Sequence, residues 1–117
     1  MLVSPKNSHK SVPLPYAVSD ACRALGERLA VARKRRRLTQ KELARRAGLS
    51  AFTLIRIEKG TPATELASVV RVLWALGLER SLSLVADTAS DEVGQAMERS
   101  RLPKRVTGRK DPLDDDF

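Results

Sequence analysis

The chain has 117 residues, enough for one domain and some tail, with 42% hydrophobic and 31% charged side chains. Its 22 basic and 14 acidic residues leave a net charge of +8 and an isoelectric point near 10.4, which points to a polyanionic partner such as nucleic acid, an acidic protein or a membrane surface. A single cysteine, Cys22, excludes an internal disulfide, and no apolar run is long enough for a signal peptide or a membrane span, so a cytoplasmic protein is expected.

Charge is unevenly spread. Residues 1–85 carry 16 basic and 6 acidic side chains, or +10, whereas residues 86–117 carry 6 and 8, or −2. The expected organisation is a flexible arm over 1–17, a helical domain over 18–85 and a flexible, partner-binding tail over 86–117. The arm is rich in Pro, Ser and Lys, and its His9 has no Cys or carboxylate neighbours with which to ligate a metal.

A first helix is predicted from Ser19, a capping residue, to about Arg37, with Leu25, Leu29, Ala32 and Arg36 on one stripe. Gly26 within it costs roughly 1 kcal/mol relative to Ala. Cys22 reads as ordinary packing. Residues 33–37 are five consecutive bases at the end of this helix, either a solvated terminus or a strip along a phosphate backbone.

Residues 38–60, LTQKELARRAGLSAFTLIRIEKG, are the organising stretch. Thr39 and Glu42 have capping-box spacing; Leu43, Ala44 and Ala47 then share a face, and Gly48 stops the helix. Ser50 caps a second helix that runs to Lys59, with Gly60 as its stop. Two short helices joined by a Gly-containing turn are the sequence form of a helix-turn-helix. On the second helix Leu54 and Ile57 face inward, while Phe52, Ile55, Arg56 and Lys59 lie on another side that mixes charge with exposed apolar groups. That mixture suits major-groove readout, where apolar groups meet thymine methyls and Arg meets guanine; the alternative is packing of Phe52 and Ile55 on a neighbouring element.

After the break at Thr61 and Pro62, Leu66, Val69, Val70, Leu73 and Leu76 predict another helix stopped by Gly77. Trp74 lies off the centre of this stripe. Over residues 81–85, SLSLV, the period changes to 2, which predicts a short strand containing Leu82 and Leu84; with no second strand in the chain, its partner would be the same strand of another copy. An extra helical turn or linker is the alternative. A weak helix is expected over residues 91–101, and the end, RLPKRVTGRKDPLDDDF, pairs a basic segment with an acidic one closed by Phe117. No phosphate-cradling glycine loop, metal cluster or nucleophile-base pair is evident, so no enzyme activity, metal or cofactor is expected.

From Leu29 to Gly77 the chain resembles the Cro/C1-type (XRE) helix-turn-helix family, through LTQKELARRAGLS, IRIEKG and LWALGL. The resemblance implies an all-α domain of four to five helices, followed here by the short carboxy-terminal strand, paired across a dimer. It implies base readout of double-stranded DNA by Ala51, Phe52, Ile55 and Arg56, and phosphate contacts from Gln40, joined by Arg36, Arg37, Lys41, Ser50 and Lys59. Arg33 and Glu58 would form a structural ion pair, and Trp74, Leu82 and Leu84 the homodimer interface. With its strand and its LPKRV tail the chain further resembles the HipB-like antitoxins, which repress their own operon at an inverted-repeat operator and bind a HipA-like serine/threonine kinase toxin. Leu113 and Phe117 would then dock the toxin. An ordinary regulator without a toxin, or mainly a protein-interaction module, are the other readings.

Overall fold

In a computed structural model, which describes residues 12–101, all regular structure is helical. Helix α1 spans Tyr16–Arg35, α2 Gln40–Ala47, α3 Ala51–Glu58 and α4 Leu66–Leu76; 3-10 helices at Glu79–Leu84 and Thr88–Ser90 precede α5, Glu92–Arg101. The chain divides into two compact units, the first ending at Glu79 and the second beginning at Arg80. The arm as far as residue 11, with His9, and the tail beyond residue 101, with Leu113 and Phe117, lie outside the described residues.

In the first unit, α1 starts earlier than Ser19 because Pro15, with φ −61° and no amide hydrogen to waste, heads the helix; its carbonyl accepts the amides of Val18 and Ser19 at 3.0 and 3.2 Å. The helix stops at Arg35, short of the expected Arg37. Arg37 takes the left-handed φ of 55°, which lets the Leu38 amide bond back to the Arg33 carbonyl at 3.3 Å.

The next three termini follow their local signals. Thr39 Oγ1 accepts the Glu42 amide at 3.0 Å and Glu42 Oε1 accepts the Thr39 amide at 2.8 Å, completing the capping box of α2. Gly48, at φ 75°, ends α2, and Ser50 Oγ accepts the Thr53 amide at 3.1 Å to open α3. Leu29, Leu43, Ala44, Ala47, Leu54, Ile57, Val72, Leu73 and Leu76 form the core.

Two features of the packing depart from expectation. The buried face of α4 is Ser68, Val72, Leu73 and Leu76, while Leu66 is 73% exposed and Val69 and Val70 are only half-buried. Because α4 packs chiefly on α2, the face it buries is set by that neighbour, and Val72, outside the expected stripe, is fully buried. Gly26, expected only to weaken α1, sits where α1 crosses the end of α3. A Cβ there would stand 2.6 Å from the carbonyl oxygens of Ile57 and Glu58, so the crossing needs a residue without one.

The expected strand at residues 81–85 is not formed. The 3-10 helix Glu79–Leu84 takes its place, with the Val85 amide on the Leu82 carbonyl at 3.1 Å and Ser83 Oγ on the Arg80 carbonyl at 2.8 Å. No strand exists among the described residues to complete a ladder, so the backbone satisfies itself through local turns, and the extra-helical-turn alternative holds. In the second unit Leu82 is half-buried and Leu84 is 72% exposed. The expected helix beyond it is α5, whose first turn is held by Asp91 Oδ1 accepting the Gly94 amide at 3.0 Å; Val93 and Met97 remain exposed.

Candidate nucleic-acid interface

Everything that positions the candidate interface belongs to the first unit. At its base Arg33, from α1, makes a two-pronged pair with Glu58, the last residue of α3: Nε to Oε2 at 2.7 Å and Nη2 to Oε1 at 3.0 Å. The two side chains are 10% and 6% exposed. Arg33 Nη1 also donates to the Leu38 carbonyl at 2.9 Å, and Gln40 Nε2, at the head of α2, donates to Glu58 Oε1 at 2.9 Å. One carboxylate therefore ties together the end of α1, the start of α2 and the end of α3. No buried side-chain nitrogen or oxygen among the described residues lacks a partner, so the network is closed.

Around this base the expected phosphate-contacting groups Arg36, Arg37, Lys41, Ser50 and Lys59 are exposed, and Gln40 is half-buried. Arg36 Nη1 bonds the Ala32 carbonyl at 2.8 Å, which lays its side chain back along α1. Gln40 spends an amide hydrogen on Glu58 and keeps its own carbonyl oxygen and a second hydrogen.

Helix α3 turns Leu54 and Ile57 inward and leaves Ala51 and Phe52 exposed, with Ile55 and Arg56 half-buried. Arg56 Nη2 donates to the Ala63 carbonyl in the α3–α4 loop at 3.2 Å, and its guanidinium carbon lies 5.9 Å from the centre of the Phe52 ring. Four of its five donors stay available. Of the expected dimer residues, Trp74 is 59% exposed on α4, while Leu82 and Leu84 belong to the second unit.

Some contributors gave little or no sign in the sequence. Arg71 of α4 reaches across to donate to the Ala47 carbonyl at 3.2 Å, placing positive charge on the carboxy-terminal end of α2, just under Gly48. A lone Arg beside an apolar stripe marks that role only once its neighbour is known. The Ala63 carbonyl that holds Arg56 is a backbone group with no side-chain signature. At the head of α2 the Thr39 amide, then its hydroxyl, hold the Glu42 carboxyl below its ordinary value, helped by Arg45 and Arg46. Cys22 is half-buried in the wall of an apolar groove between α1 and the α3–α4 loop, with Leu25, Leu29 and Val69. No group of His, Cys, Asp and Glu among the described residues is arranged to hold a metal ion, and no helix among them is long and apolar enough to cross a membrane.

A family model described as a helix-turn-helix domain matches residues 24–84, just over half of the chain. No curated protein matches the chain.

Proposed function

The chain belongs to the helix-turn-helix domain family, and from that membership we propose that it is a sequence-specific, DNA-binding transcriptional repressor that works as a homodimer in the cytoplasm and has no enzymatic activity. The observation that carries this reading is the outward face of α3. Ala51 and Phe52 are exposed on it and Ile55 and Arg56 half-buried, and in this reading these four meet base edges while exposed Arg36, Arg37, Lys41, Ser50 and Lys59, with half-buried Gln40, meet phosphates. The Arg33–Glu58 pair locks the helices that carry both sets.

Two recognition helices in a dimer would require an inverted-repeat operator with half-site centres separated by about 10 bp or a multiple of it. With residues 79–84 helical, the apolar interface falls to Trp74 and its neighbours on α4, exposed Leu66 and half-buried Val70.

The antitoxin reading is the finer version of this function, with the helical domain on DNA and the tail, through Leu113 and Phe117, on a HipA-like kinase. It keeps the LPKRV segment as support and loses the strand, so a repressor without a toxin is the better-supported form.

Competition binding across operator variants tests the proposal. Arg56→Ala is expected to cost about 1–3 kcal/mol at one base pair and to relax preference there, whereas Gln40→Ala weakens all sequences alike. Absence of sequence-selective binding by the intact chain, or a monomer in sedimentation at operator-saturating concentration, would reject it.

A further inference from the structure

The amino-terminal half of α3 offers a groove almost no hydrogen bonds of its own. Ala51 and Phe52 are exposed, Phe52 by 68%, and half-buried Ile55 follows one turn on. The polar side chains nearest them turn to partners within the chain, Ser50 and Thr53 to each other and Arg56 with one of its five donors. Ser50 Oγ donates to Thr53 Oγ1 at 3.0 Å while accepting the Thr53 amide at 3.1 Å, and Arg56 Nη2 is on the Ala63 carbonyl at 3.2 Å. The Arg56 guanidinium near the Phe52 ring adds a cation–π contact that limits where the ring can swing.

Residues at this end of a recognition helix are the ones that reach base edges. An exposed phenyl ring placed there can gain only from an apolar feature, and the apolar feature of the major groove is the methyl group on carbon 5 of thymine. Resting on the reading of α3 as the recognition helix, we infer that Phe52 reads a pyrimidine 5-methyl group, so that one position of each half-site is selected by a methyl contact and not by a hydrogen bond. Cytosine lacks that methyl, and 5-methylcytosine carries it at the same ring position in the same groove. Binding to a site with a C·G pair at that position is therefore enhanced by cytosine methylation.

The test uses the full chain and an operator selected from a random duplex pool. Each thymine is replaced singly by deoxyuridine, which removes the methyl and leaves the hydrogen-bonding edge intact. Once a sensitive position is found, its T·A pair is exchanged for C·G with and without a 5-methyl. Burial of one methyl-sized group corresponds to about a fourfold change in affinity. The expected result is a loss of that size for deoxyuridine at one position per half-site, and a gain of similar size on methylating cytosine there.

Phe52→Ala should flatten both responses while the salt dependence of binding stays unchanged, and Phe52→Leu should restore part of them. Because Phe52 lies on the surface, circular dichroism is expected to show both variants folded. Sequence-selective binding that ignores every deoxyuridine, or a Phe52→Ala variant that keeps the wild-type methyl profile, overturns this inference and leaves the repressor reading standing. A pool that yields no selected sequence overturns both.

Discussion

Glu58→Ala should be among the most damaging single substitutions in the first unit. The Glu58 carboxylate accepts from Arg33 twice, at 2.7 and 3.0 Å, and from Gln40 at 2.9 Å, in a place where the Arg33 side chain is only 10% exposed. Its removal leaves the guanidinium with the Leu38 carbonyl as its remaining acceptor. Stranding one partner of a shielded ion pair costs about 3–5 kcal/mol. A domain this small holds roughly 5 kcal/mol in all, so Glu58→Ala should consume most of it. Exchanging both members, as in Arg33→Met with Glu58→Leu, leaves no orphaned charge and should be neutral or stabilising by about 1–4 kcal/mol. Urea unfolding followed by helical circular dichroism measures both; Trp74 is 59% exposed and makes a poor fluorescence reporter of the core. A Glu58→Ala unfolding free energy within about 1 kcal/mol of wild type at constant m-value, or a double-mutant cycle without coupling, would refute the argument.

Two further outcomes rest on single distances or bonds. Gly26→Ala gains about 1 kcal/mol of helix propensity, yet its Cβ would meet the Ile57 and Glu58 carbonyls at 2.6 Å, so a net loss of about 1–3 kcal/mol is expected in urea unfolding; an unchanged midpoint would mean that α1 does not cross α3 at Gly26. Glu42, held below its ordinary value of 4.5 chiefly by the Thr39 amide, contributes stability that is fully present above that value and is lost as pH falls through the folded-state value. The stability difference between wild type and Glu42→Gln should therefore shrink between neutral pH and about pH 3, and a constant difference would remove the capping box from the acid response.

What was legible in the sequence is what is decided within a few residues. Thr39 with Glu42, Gly48, Ser50 and Gly77 each act on their own turn of backbone, and all cap or stop a helix as their chemistry dictates. What was not legible depends on a neighbour far along the chain. The worth of Gly26 comes from carbonyls on α3, the role of Arg71 from the carboxy-terminal end of α2, and the burial of Val72 in place of Leu66 from the choice of α2 as partner. The segment at 81–85 failed for a related reason. Alternating Leu and Ser is permissive for a strand, but a strand is a relation between two segments, and here the second is missing among the described residues.

The basic run at 33–37 shows how the candidate interface follows from helical geometry more than from charge. As sequence it is one feature, yet a helix turns about 100° per residue, so its members cannot share an environment. Arg33 is carried inward to Glu58, while Lys34 and Arg35 face solvent. Arg36 and Arg37 fall past the end of α1, where the left-handed Arg37 redirects the chain into the capping box of α2. One residue of the run therefore holds the frame, and the others can give a phosphate backbone long-range attraction. The same division recurs on α3, where Leu54 and Ile57 are spent on the core and Phe52 is left outside. Neutralising the exposed members should thus lower affinity for every duplex and reduce its salt dependence, whereas loss of Arg33 acts first on folding. The distinction lies in which way each side chain is turned, not in how many charges the run contains.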